Sequence, residues 1–216
     1  MALKDQLTSL IPLIAQDVKG KGGSSVLMQG NGRPDQPETT DGKITGNEPN
    51  GTFYNSTNGG NVGAYLWHKQ AGNWIVINGD TGYIRPKAVN IRRGYVALRR
   101  VNNTVECHFS GDAWGAISFK GSGNSSFAKK TGSSKRMDIL TRDGIPEGFR
   151  VDVSLLYPFY NDDGVHIGSV YIGAKSNSNY IELRFTENVP VNDMLTIRMP
   201  VITWLTNEPF PKTLQK

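Results

Sequence analysis

The chain of 216 residues has one cysteine, Cys107, and three histidines. A single cysteine excludes an internal disulfide framework. His68, His108 and His166 stand far apart, with no paired-cysteine spacing beside them, so no structural zinc site can be read from the sequence. HExxH, GxSxG, SxxK and P-loop patterns are all missing. No apolar run approaches the roughly 20 residues that a membrane span needs. The opening stretch MALKDQLTSLIPLIAQDVKG is interrupted by Lys4, Asp5, Gln6 and Pro12 and lacks a small-residue cleavage pattern, so it does not read as a secretion signal. These absences predict a soluble protein with no cofactor and no metal. The chain is long enough to bury a core without staples.

Charge is present but not concentrated. The net charge is +5, and the basic residues come as short pairs (Arg92-Arg93, Arg99-Arg100, Lys129-Lys130, Lys135-Arg136) in a Gly/Asn-rich chain. A nucleic-acid binder more often shows a dense stripe, so ordinary solvated faces are expected and neither nucleic acid nor membrane is an expected partner.

Periodicity organises the rest. Leu3, Leu7, Leu10 and Ile14 follow a 4-3-4 spacing, and Leu7, Ile11, Ile14 and Val18 make a second seam beside it. This predicts a short amphipathic helix, stopped by Gly20, Gly22 and Gly23. Pro12 fits such a helix when it falls in the first turn after Ser9 as N-cap. A helix this short is marginal alone, so its apolar face must be buried, either on its own domain or in a bundle of identical chains.

Residues 24 to 60 carry turn signals every few positions and read as loops with short strands. Ala64, Leu66 and Ile75, Ile77 mark two strands joined across KQAGN, followed by a turn at Gly79-Asp80-Thr81-Gly82 and a connector over 85 to 93. In GYVALRRVNNTVECHFSG, a two-residue Asn102-Asn103 loop pairs Val96 with Phe109, Leu98 with Cys107 and Arg99 with Glu106. That register puts Val96, Leu98, Cys107 and Phe109 on the core face and Arg99, Glu106 and His108 outside. A second hairpin is expected around AKSNSN, with Ile181, Leu183 and Phe185 inward, and a further strand over MLTIRMPVITWL (194 to 205). From residue 90 onward the pattern predicts an antiparallel sandwich or barrel.

Candidate chemistry is sparse. Cys107 and His108 are strand neighbours and point to opposite faces, which forbids a nucleophile and base dyad. The acidic residues sit mostly in turns, where solvation leaves them ordinary acids. Nothing in the sequence demands an enzyme. Aromatic residues beside polar loops are more informative, because a flat ring can stack on a pyranose while Asp, Asn, His and Arg bond its hydroxyls. Among Trp67, Trp74, Trp114, Tyr157, Phe159, Tyr160, Tyr171 and Trp204, the loop-borne candidates are Trp114 in SGDAWGA and Tyr160 in YNDDGVH. The candidate saccharide-binding residues are therefore Asp112, Trp114, Tyr160, Asp162, Asp163 and His166.

Two stretches carry a resemblance. GNGRPDQPETTDGKITGNEPNGTFYNSTNGGNVGAYLWHKQAGNWIVINGDTGYI (30 to 84) is similar to a module that recurs in tail proteins of long-tailed phages infecting Gram-positive bacteria. The pattern from IRRGYVALRRVNNTVECHFSG through DILTRDGIPEGFR to NEPFPKTL resembles the receptor-binding proteins, or tail-tip adhesins, of the same phages. The resemblance implies a mainly β homotrimer: an N-terminal helix and linker (1–23) forming a trimeric bundle, a small β shoulder module (24–90), and a C-terminal antiparallel β-barrel or jelly-roll-like head (91–216). It also implies that the protein is made in the host cytoplasm and sits in the virion at the tail tip or baseplate. There the N-terminal region would meet other tail proteins and the head would bind host cell-wall polysaccharide or teichoic acid without catalysis. Lys129, Lys130, Lys135 and Arg136 would assist if the glycan carries phosphate. A tail-associated enzyme that degrades wall glycan, or a structural tail protein without ligand, remain open alternatives.

Overall fold

A computed structural model describes residues 26–59, 63–111, 117–119, 136–186 and 197–214. The expected N-terminal helix falls outside them. The described chain is mainly β, with thirteen strands and two short 3-10 turns. It divides into two compact units, Met1–Thr81 and Gly82–Lys216.

β1 (Leu27–Gly30), β2 (Phe53–Ser56), β3 (Ala64–Gln70) and β4 (Asn73–Ile84) lie side by side in sequence order, and all but the last three residues of β4 belong to the first unit. β1 runs parallel to β2, and the other pairs are antiparallel. The loop between β3 and β4 is shorter than KQAGN suggests: Ala71 and Gly72 alone turn the chain, at φ of 49° and 79°. Positive φ at both central residues is what a two-residue hairpin loop needs to match strand twist.

One face of this sheet is packed by rings and by the stems of buried cations. Tyr54 and Trp67 face each other in register and are both fully buried. The Arg33 guanidinium lies 5.0 Å from the centre of the Trp67 ring. It is held by Asp35 through two contacts of 2.9 Å. Lys69 is buried as well: its Nζ donates to the Gly46 carbonyl at 2.6 Å, stands 3.5 Å from Glu48, and sits over the Trp74 ring. A module too small for an aliphatic core uses cation–ring contact and long side-chain stems instead.

The second unit contains β5 (Ile91–Arg93), β6 (Tyr95–Val101), β7 (Thr104–Ser110), β8 (Ser118–Phe119), β9 (Arg136–Leu140), β10 (Leu155–Tyr160), β11 (His166–Ile172), β12 (Ile181–Phe185) and β13 (Ile202–Leu205). β6, β7 and β13 pair in that order, β10-β11-β12-β9 form an antiparallel sheet, and β5 pairs with β8. The β6–β7 hairpin has the expected register, Val96 to Phe109, Leu98 to Cys107 and Arg99 to Glu106. Asn102 turns it at φ 52°. The inward residues of both larger sheets, among them Leu98, Val105, Cys107, Ile202, Ile139, Phe159, Val170 and Leu183, share a single apolar core. This is a layered β arrangement, and no closed barrel is found among the described residues.

Besides the shorter β3–β4 loop, three expectations are corrected. The stretch 85 to 93 is not all connector, because Ile91–Arg93 form β5 and pair with β8. Gly79 to Gly82 do not form a turn but continue β4, because Asp80 N–H bonds the Gly63 carbonyl at 2.8 Å and Gly79 pairs with Ala64. MLTIRMPVITWL is not one strand; its residues 194–196 lie outside the described part, and the remainder is broken before β13. Pro200 cannot donate to a ladder and biases the residue before it. Ile197 therefore pairs with Ile117 and Arg198 with Tyr160, whereas Ile202 to Leu205 pair with β7.

A buried arginine ties this unit together. Arg100 donates from Nε to the Asn102 carbonyl at 2.6 Å, from Nη1 to Gly148 at 2.7 Å and Pro209 at 2.9 Å, and from Nη2 to Glu208 at 2.9 Å. Burial lowers its pKa to about 10, and Glu208 opposes that shift, so it stays charged at neutral pH. Replacing Arg100 with Met should leave these carbonyls unpaired and cost about 3 kcal/mol, the order seen when one partner of a buried polar set is removed. Urea unfolding should show the loss, and a variant within 0.5 kcal/mol of the parent (about the scatter of neutral surface changes) would show that the clamp is dispensable.

Candidate functional site

The end of the β10–β11 hairpin gathers four of the six predicted site residues. Tyr160 closes β10 and faces His166, which opens β11, just after a register shift between Phe159 and Tyr160. The two rings meet edge-on with centroids 5.8 Å apart. Tyr160 is 40% exposed. Asp162 and Asp163 are exposed in the connecting loop.

Asn161 holds that loop. It is buried, its N–H bonds the Val165 carbonyl at 2.9 Å, and its Oδ1 accepts the Val165 N–H at 2.8 Å. Its own carbonyl accepts the Gly164 N–H at 3.1 Å. Gly164, at φ 78°, supplies the left-handed residue the turn requires. An amide side chain that copies a backbone turn is a common reason for Asn at such a position.

Arg198 joins the group from a segment 36 residues away. Its backbone exchanges two hydrogen bonds with Tyr160, of 3.2 and 2.8 Å. Its Nε donates to Asp162 Oδ1 at 2.7 Å and its Nη2 contacts the same oxygen. Asp162 is thereby oriented by a charge-assisted contact. No local sequence signal marks Arg198, because its placement depends on the break at Pro200. The cluster therefore presents a phenol ring, an imidazole, two carboxylates and a guanidinium around one rigid turn. Such a set can stack one face of a ring and bond vicinal hydroxyls.

The other sequence candidates fall elsewhere. Asp112, Trp114, Lys129, Lys130 and Lys135 lie outside the described residues. Arg136 is 3.6 Å from Glu182 on the outer face of the four-stranded sheet, where Arg184 also bonds Glu182 and covers the Tyr171 ring at 3.7 Å. Phe159 and Trp204 are core, and Trp204 donates its indole N–H to the Phe149 carbonyl at 3.0 Å. Cys107 is fully buried with His108 on the opposite face, and burial pushes its thiol well above the usual range. Among the described residues no three His, Cys, Asp or Glu side chains are grouped to hold a metal ion. A cleft of about 420 Å³ lies between Pro146–Phe149 and Pro209–Thr213, apart from the predicted residues.

With this geometry described, comparison with known proteins adds no assignment. No family model, curated protein or solved structure matches the chain.

Two outcomes follow from the local contacts. Asn161→Ala should cost about 1 kcal/mol, the usual net value of a lost hydrogen bond, and should speed amide exchange at Val165 while β6 and β7 keep their protection. Cys107 should react with a soluble thiol reagent only as fast as the protein unfolds; fast labelling of the folded protein would contradict its burial.

Proposed function

We propose that this chain is a receptor-binding protein of a long-tailed phage infecting Gram-positive bacteria, and that it attaches the virion to host cell-wall saccharide without catalysis. The observation that carries the reading is the exposed Tyr160–His166 pair beside the Asp162–Arg198 contact on a turn fixed by Asn161. A half-exposed ring with oriented polar groups suits a shallow polar ligand better than an apolar one. The sequence resemblance supplies the setting of tail tip, homotrimer and wall polysaccharide or teichoic acid as receptor.

Each such site would bind weakly, and several copies on one virion would make attachment firm. Linked sites raise avidity by roughly 10² to 10⁴ without any new contact. Catalysis is not required by this scheme, and nothing in the cluster demands it.

Incubation of the purified protein with host wall polysaccharide tests the reading. Retention of the protein without release of oligosaccharide is expected. Release of oligosaccharide would replace the adhesin by a glycan-degrading enzyme, and failure to label host cells would leave a structural tail protein. Tyr160→Ala and His166→Ala should each weaken retention about tenfold or more, the equivalent of about 1.4 kcal/mol, while thermal stability holds within the range of surface substitutions. Undiminished retention in both variants would move the site away from this hairpin.

A further inference from the structure

The first unit has a second sheet face whose apolar row is left largely exposed. Leu27, Phe53, His68 and Ile75 are register partners across β1, β2, β3 and β4, so they form one row on the side opposite Trp67. Leu27 is 73% exposed and Ile75 46%. Phe53 and His68 stack with ring centroids 4.6 Å apart. Ile77, the extra residue where the β3–β4 register shifts, is also exposed, and Leu66 stands half-buried beside the row. An apolar row crossing four adjacent strands, unlike scattered surface leucines, marks a surface that something covers.

We infer that residues 3–18 of the same chain dock on this row through Ile11 and Val18. The first reason is where the described chain begins. The Val26 carbonyl accepts the Phe53 N–H at 2.8 Å, so the described chain begins at the edge of the row itself. The second is complementarity. The segment carries two apolar seams, and docking through Ile11 and Val18 leaves Leu3, Leu7, Leu10 and Ile14 for contact with other copies. The third is tethering. Only the eight residues from Lys19 to Val26 separate Val18 from the sheet, and they are rich in Gly and Ser. That length reaches at most about 28 Å, and a tether this short gives an effective concentration in the millimolar range. A segment from a free second copy would need comparable concentrations to compete. The inference does not depend on the adhesin reading.

Paired cysteines test it in the full chain, since the native Cys107 is buried and does not interfere. Val18→Cys with Ile75→Cys, treated with a short bismaleimide, should give a link within one chain, read by mass spectrometry on a mixture of ¹⁵N-labelled and unlabelled protein. Mixed-isotope links would assign the row to a second copy and overturn the inference, as would absence of any link. Separately, Leu27→Asp with Ile75→Asp should raise amide exchange over residues 7–18 about tenfold, with the fluorescence of the buried Trp67 unchanged. Unaltered exchange in that folded variant would also overturn it. If the double Asp variant loses the Trp67 signal, the cross-link decides.

Discussion

The second unit depends on where one guanidinium is buried. Arg100 leaves β6 on its core side, and its donors meet carbonyls from the β6–β7 turn, from Gly148 and from the segment Glu208–Pro209. Burying a cation without partners would cost several kcal/mol. The chain meets that cost with backbone oxygens that would otherwise lack donors, and with the Phe210 ring 5.1 Å away. Glu208 closes the arrangement from the other side, accepting the Gly148 N–H at 2.6 Å. Two irregular segments, neither of which has a ladder of its own, thus become walls of fixed shape.

This contact joins three separated stretches of sequence. VALRRV supplies the guanidinium, IPEGFR the Gly148 carbonyl and amide, and NEPFP the Glu208 carboxylate and two further carbonyls. Gly148 sits at φ 86°, and a Cβ there would come within 2.6 Å of Pro211. The glycine is therefore required twice, once by its backbone angle and once by the close approach of Pro211. Composition alone gives no hint of this, since each stretch looks like an ordinary loop.

Legibility in the sequence followed the range of the interaction. The β6–β7 register could be read because two alternating runs flank a two-residue Asn loop, and period-2 geometry then settles both faces at once. The inward set of β12 was legible for the same reason. What escaped was decided by partners distant in the chain. Gly79 to Gly82 have turn composition, yet pairing with the strand beside them keeps β4 extended. MLTIRMPVITWL alternates well, but Pro200 divides it between different partners. At the candidate site, Tyr160, Asp162, Asp163 and His166 could be grouped because one hairpin turn holds them. Arg198 could not, because only the β-bridge to Tyr160 brings it there.

The two tryptophans of the middle module illustrate the difference between an aromatic stretch and an aromatic site. Trp67 is closed off by Tyr54 and Arg33, and Trp74 is half-buried against Lys69 and the edge of Tyr54, so both rings are taken up in packing whereas Tyr160 is exposed. Burial of Lys69 and Arg33 against these rings also fixes the loop that carries Asp35, Gly46 and Glu48. The packing occupies one face of β2, β3 and the start of β4. The other face is left with Leu27, Phe53, His68 and Ile75 in a row, and a four-stranded module of this size cannot cover both faces from its own loops. The same smallness that turns tryptophans into scaffold on one side creates the need for an added segment on the other.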